Sequence, residues 1–252
     1  MCSLATLPNV IFDKIKSYVI FTPRKREELI YAVKLWCDDK KSGYKLYGHI
    51  SLWNTINITD MSHLFFLHRN FNSIISSWDV SNVTDMYDMF HEAKSFNQPL
   101  DNWDVSNVKN MNRMFSEATS FNQPLNNWDV SKVKNMECMF KNAKSFNQPI
   151  NNWDVSNVTK MGGMFKHAWS FNQPLNNLDV SNVKDMCRMF ENARSFNQRL
   201  NNWDVGNVTC MVNMFHQAVL FNQLLYNWDI SNVTNMNGMF DGTKITKLPE
   251  WY

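Results

Sequence analysis

A period of 25 residues governs this chain. Tryptophan recurs at Trp53, Trp78, Trp103, Trp128, Trp153, Trp203 and Trp228, with Leu178 in the one gap. Phe65, Phe90, Phe115, Phe140, Phe165, Phe190, Phe215 and Phe240 keep the same spacing. So do Met61, Met86, Met111, Met136, Met161, Met186, Met211 and Met236, and no insertion breaks the register across eight copies. Regularity of this kind belongs to stacked repeats, in which each unit buries its apolar face only against its neighbours. The 252-residue length therefore says little about domain count.

Within one unit the apolar residues are Leu100, Trp103, Val105, Val108, Met111, Met114, Phe115, Ala118 and Phe121. The alternation Trp103-Asp104-Val105 predicts a short strand. The spacing Met111, Met114/Phe115, Ala118 predicts a short helix with one apolar face. Thr84, Thr159, Thr209 and Thr234, or the residue after each, are placed to cap it. Asn97, Pro99 and Asn107 mark the turns between. Parallel stacking of such strands at about 4.8 Å would make eight copies a rod roughly 40 Å long.

The string Phe121-Asn122-Gln123-Pro124-Leu125-Asn126-Asn127-Trp128-Asp129-Val130-Ser131, followed by Val133, Met136, Met139-Phe140 and Ala143, resembles the BspA-type (DUF285) leucine-rich-repeat-like family. The resemblance covers residues 46–243. It implies an α/β repeat solenoid: about eight 25-residue units of strand, turn and short helix behind a helical N-terminal cap. It also implies protein binding or adhesion, and it supplies no catalytic residues. Repeats of this type occur in bacterial surface proteins, in protists and in large DNA viruses.

The two ends depart from the repeat. Residues 23–45 form the expected N-terminal cap, with Leu29, Ala32, Val33 and Trp36 on one face of an amphipathic helix at 24–40. Residues 244–252, ending Leu248-Pro249-Glu250-Trp251-Tyr252, form the expected C-terminal cap. Residues 1–22 form an N-terminal helical segment with two readings. One is an amphipathic helix packed on the cap. The other rests on Leu7, Pro8, Ile11 and Ile15, which resemble the start of an F-box and would bind a Skp1-like adaptor of a ubiquitin ligase.

Composition narrows the function classes. Net charge is only +2, which argues for neither nucleic acid nor membrane as a partner. Residues 13–45 are the basic exception, with nine Lys/Arg against five acids. Met1–Pro8 has no basic segment and no long apolar run, so it does not read as a secretory signal, and no stretch nears the length of a membrane helix. The expected location is intracellular: the cytoplasm, or the host cytoplasm or virion if the source is viral. The five cysteines are odd in number, form no C-x-x-C and occupy different repeat positions, so free thiols are expected rather than a disulfide framework or zinc site. The six histidines show no metal-ligand spacing, and no glycine-rich phosphate loop exists. No enzyme, cofactor or metal is expected.

The candidate partner-binding residues are the column Asp79, Asp104, Asp129, Asp154, Asp179, Asp204 and Asp229, together with Trp169. Each Asp lies between two inward residues and so faces outward. A column of carboxylates is either a ligand groove or a ladder that stabilises its own turns. The Asn column at Asn57, Asn82, Asn107, Asn157, Asn182, Asn207 and Asn232 reads as satisfying backbone groups at turns. Trp169 stands where other copies have Lys, Thr, Arg or Val, and an exposed tryptophan is a contact anchor. Leu220, Leu224 and Tyr226 are expected to meet the C-terminal cap.

The copies differ most on the Met-Phe side, at Tyr87/Asp88, Asn112/Arg113, Glu137/Cys138, Gly162/Gly163, Cys187/Arg188 and Val212/Asn213. The function expected is a non-enzymatic protein-interaction scaffold acting as a monomer. The alternatives are an F-box-like substrate receptor, and a surface adhesin or virion component.

Overall fold

A computed structural model describes residues 20–252. Leu7, Pro8, Ile11 and Ile15, and with them the F-box-like reading, lie outside the described residues. Among the described residues two α-helices form, both before the repeats: α1 (Arg26–Asp38) and α2 (Lys40–Tyr47). A 3-10 turn at Ile50–Leu52 follows. Helix α1 buries Leu29, Ala32, Val33 and Trp36. Asp39 starts α2 by accepting the Ser42 N–H, and Gly48, at φ 70°, ends it. Gly43 lets the helices approach, because a Cβ there would lie 2.9 Å from the Trp36 Cα.

From Trp53 onward the strand-turn-helix unit is not formed. Among the described residues of the repeats there is no helix and no strand, only turns and one parallel bridge per level, in the series Asp60, Asp85, Asn110, Asn135, Lys160, Asp185, Cys210, Asn235. The expected α/β leucine-rich-repeat-like architecture is therefore wrong for this chain. Each unit is a coil of successive turns. In one unit the N–H groups of Trp103, Val108, Met114, Ser116, Ala118 and Phe121 donate to the carbonyls three residues earlier. Thr84 and its equivalents cap no helix; the Thr84 N–H donates to the Thr59 carbonyl of the preceding coil.

The Met-Phe segment shows why helical spacing misleads. Two residues in each coil adopt left-handed backbone, such as Arg113 at φ 56° and Glu117 at φ 62°. Those reversals prevent helix propagation. They also aim alternate N–H groups out of the coil. Met111, Arg113, Phe115 and Glu117 donate to the carbonyls of Asn135, Glu137, Met139 and Lys141 in the next coil, at 2.6–2.9 Å. A helix would satisfy those donors internally; here neighbouring coils satisfy one another.

The core runs the length of the stack. Met111, Met114, Phe115, Ala118 and Phe121 are fully buried, as are their equivalents at most levels. Phe90, Phe115 and Phe140 stack nearly parallel at 5.4 and 5.7 Å, and within a coil Phe115 meets Phe121 at 4.0 Å. From Trp78 onward each indole N–H of the 25-residue Trp column donates one level down: Trp103 to the Ile75 carbonyl, Trp153 to Leu125, Trp228 to Leu200.

The ends are closed by different means. At the first level the Arg26 guanidinium bonds the Ser62 carbonyl and pairs with Asp60 at 3.2 Å. At the last, Trp251 stacks on Trp228 at 6.2 Å and donates to the Leu225 carbonyl. Leu220, Leu224 and Tyr226 are not covered; they remain 42–49% exposed.

Candidate functional site

The Asp column sits on the outside of the stack, half-buried at Asp79 and exposed from Asp104 onward. Each Oδ1 accepts an N–H two residues on, from Ser81, Ser106, Ser131, Ser156, Ser181, Gly206 and Ser231 respectively. At Asp79, Asp154 and Asp179 the serine hydroxyl donates as well. The Ser106, Ser131 and Ser181 hydroxyls, and then their N–H groups, hold Asp104, Asp129 and Asp179 below the ordinary carboxyl range; at Asp229 the Ser231 N–H is the larger cause. The column is thus engaged at its own turns.

The asparagines are engaged too. Asn82, Asn107, Asn157 and Asn182 donate side-chain N–H to the carbonyls of Ile56, Ser81, Ser131 and Ser156 in the preceding coil. A second asparagine ladder links Asn72, Asn97, Asn122, Asn147, Asn172 and Asn197: each Oδ1 accepts the backbone N–H of the equivalent residue one level up and the Nε2 of the glutamine beside it.

Trp169 is not a free anchor. It is half-buried, with the Lys144 ammonium 4.0 Å from its ring and the Arg194 guanidinium 4.6 Å away. Both neighbours hold the same repeat position one level away, so the tryptophan is held in a cation–π sandwich. Its buried indole N–H has no hydrogen-bond partner among the described residues.

The side chains that differ between levels line one ridge, formed by the left-handed residues and those beside them. Its first group centres on Asp88, which is 2% exposed. Arg113 Nε lies 3.3 Å from Asp88 Oδ1, His91 Nδ1 3.7 Å from the same oxygen, and His63 Nδ1 3.8 Å from Oδ2. Burial lowers the His91 pKa, and the nearby Asp88 charge only partly opposes this. Asp88 Oδ1, His91 Nδ1 and the Ser116 hydroxyl are buried without a hydrogen bond among the described residues. A carboxylate in that state calls for a donor.

The second group surrounds Gly162-Gly163, where missing side chains leave a notch of about 450 Å³. Glu137, Cys138 and Lys141 line it from one side, Asp185, Cys187 and Arg188 from the other. Lys166 pairs with Glu191 at 3.0 Å; Lys141 has no acidic partner among the described residues.

The cysteines depart from the expectation of free thiols. Cys187 and Cys210 are joined by a disulfide, with Cα atoms 5.4 Å apart. Their separation of 23 is the repeat period less two, which places same-face residues of adjoining coils diagonally beside each other. That offset was the available signal. Cys37 and Cys138 are free. Burial, then the Asp38 charge, pushes the Cys37 thiol up to about 12; burial, then Glu137, raises Cys138. Such thiols are protonated and unreactive at neutral pH. No helix among the described residues is long and apolar enough to cross a membrane.

Against known proteins, the family model described as "Mycoplasma protein of unknown function, DUF285" matches residues 39–153 and 139–251. No curated protein matches the chain.

Proposed function

The chain belongs to the DUF285 family, and on that footing we propose that it is a non-enzymatic protein-interaction scaffold that reads its partner along the ridge from His63 to Asn213. The observation that carries this reading is a division between columns. Residues that repeat at every level are tied to the stack: the tryptophans to carbonyls one level down, the asparagines to the preceding coil, the aspartates to their own turns. Residues that change from level to level are the ones left to distinguish one partner from another. Along the ridge the half-buried or exposed charges are one acid among four bases, Glu137 against Arg113, Lys141, Lys166 and Arg188. Patterned charge of this kind supplies specificity and steering more than raw affinity.

The test is affinity purification from the native cell with three full-length baits. These are wild type, the ridge variant Arg113→Glu/Lys141→Glu, and the column variant Asp129→Asn. Asparagine still accepts the Ser131 N–H, so the column variant keeps its turn. A protein retained by wild type and Asp129→Asn but lost from the ridge variant supports the reading. Equal retention by all three removes the ridge from it. A hydrolytic or transfer activity abolished by one substitution overturns the scaffold itself.

A further inference from the structure

At most levels of the stack, the bridge residue, the residue two positions on and the next bridge residue form an unremarkable set, such as Asn110, Asn112 and Asn135. At one level they are Asp185, Cys187 and Cys210. A carboxylate oxygen and both sulfurs there lie within 4.8 Å of one another, the one such trio of potential metal ligands among the described residues. We infer that in its reduced form this trio is a binding site for a thiophilic divalent cation of the zinc type.

Three observations converge on it. Zinc takes sulfur at about 2.3 Å in tetrahedral geometry, which puts neighbouring ligand atoms roughly 3.8 Å apart, so the trio needs only side-chain rotation to close on one ion. The Asp185 carboxylate is oriented, because its Oδ1 accepts the Cys187 N–H at 2.9 Å. Its other oxygen faces the notch: a Cβ on Gly162 would lie 3.0 Å from Oδ2. The glycine therefore leaves a fourth coordination position open to water or to a partner's side chain. Two thiolates beside one carboxylate select against calcium and magnesium, which take all-oxygen shells.

The disulfide and the metal exclude each other. A thiol-class reductant supplies two electrons and two protons, breaks the Cys187–Cys210 bond and leaves as its own disulfide. Metal binding then displaces the two thiol protons. The site is closed under oxidation and open under reduction.

The test is titration of the reduced full-length protein with Co²⁺ alone, under anaerobic conditions after the reductant is removed. One equivalent should give a thiolate-to-cobalt charge-transfer band with tetrahedral ligand-field bands, displaced by Zn²⁺. The band should vanish in Cys187→Ser and Cys210→Ser, weaken in Asp185→Asn, and persist in Cys138→Ser. Serine is tolerated in this column, since Ser62 occupies the position of Cys187. Independently of any variant, Zn²⁺ should protect Cys187 and Cys210 of the wild type from alkylation, read by peptide mass spectrometry. A missing band overturns the proposal. So does a band that survives Cys187→Ser or depends on Cys138, or one that is equally strong in the oxidised protein.

Discussion

The indole N–H of Trp128 donates to the Leu100 carbonyl, 2.9 Å away in the preceding coil. The ring is 3% exposed, stacks on Trp153 at 6.5 Å and touches Phe115. One side chain thus couples two levels through packing and through a buried hydrogen bond. Trp128→Ala should cost about 3–5 kcal/mol, from lost burial and the cavity left behind. Trp128→Phe keeps most of the bulk and removes one of the two donors to the Leu100 carbonyl, which still accepts the Trp103 N–H, and should cost about 0.5–1.5 kcal/mol. Urea unfolding followed by tryptophan fluorescence and by circular dichroism measures both. In a stack that couples only neighbours, the alanine variant should also split the transition, so that the two probes no longer coincide. A loss near zero would remove the Trp column from the core.

Leu178 is the natural defect in that column. It is 5% exposed, and the Ile150 carbonyl has no indole donor from it. Leu178→Trp should restore the hydrogen bond and stacking with Trp153 and Trp203, raising stability by about 1 kcal/mol. A lower urea midpoint would mean that this level has relaxed around the smaller side chain.

Gly163 adopts φ +62°, and a Cβ there would lie 3.0 Å from the Cys138 sulfur. Gly163→Ala should cost about 1–2 kcal/mol, the ordinary penalty of an L residue in left-handed backbone. Gly163→Asn should cost less, because asparagine tolerates this conformation and Asn213 already holds it two levels on. Equal losses for both would place the penalty in crowding rather than in backbone.

The carboxyl groups of Asp104, Asp129 and Asp179 are lowered by their serine partners. A lowered folded-state pKa gives stability that is full above the unfolded value, near 3.9, and is lost as pH falls through the folded value. The melting temperature should therefore drop below about pH 4. The triple variant Asp104→Asn/Asp129→Asn/Asp179→Asn, which keeps the acceptors but cannot titrate, should show a shallower drop. Because these groups are exposed, the difference is small, and identical profiles would show that the column contributes nothing through its charge.

The sequence conveyed the repeat and the buried columns, because Trp, Phe and Met can recur at 25 only if each level meets the same core. It did not convey the coil itself. Met111, Met114/Phe115 and Ala118 have helical spacing, yet a run of turns with reversals at Arg113 and Glu117 places the same four side chains inward. The hint was Gly163, Asn213 and Gly238, which hold a shared position and favour left-handed backbone, but Arg113 and Arg188 hold it too and obscure it. Trp103-Asp104-Val105 does alternate in and out, but turns on both sides leave no length for strand pairing. Among the candidate residues, the Asp column was visible, while its engagement depended on a hydrogen bond two residues away. Asp88, buried between His63, His91 and Arg113, is brought to its partners from three different coils, and no local pattern could announce it.

Alternate N–H groups of the Met-Phe segment bond to the next coil rather than within their own, and the last coil offers the most direct test of the coil stack. The N–H groups of Met211, Asn213, Phe215 and Gln217 donate to the carbonyls of Asn235, Asn237, Met239 and Asp241. The equivalent N–H groups of Met236, Gly238, Phe240 and Gly242 have no acceptor among the described residues. Amide hydrogen exchange resolved by residue should find the first four strongly protected and the second four exchanging rapidly. A helix at each level would protect Phe240 through Met236 just as it protects Phe215 through Met211. Equal protection of the two sets would contradict the coil stack, and with it the assignment of the ridge as the surface that reads a partner.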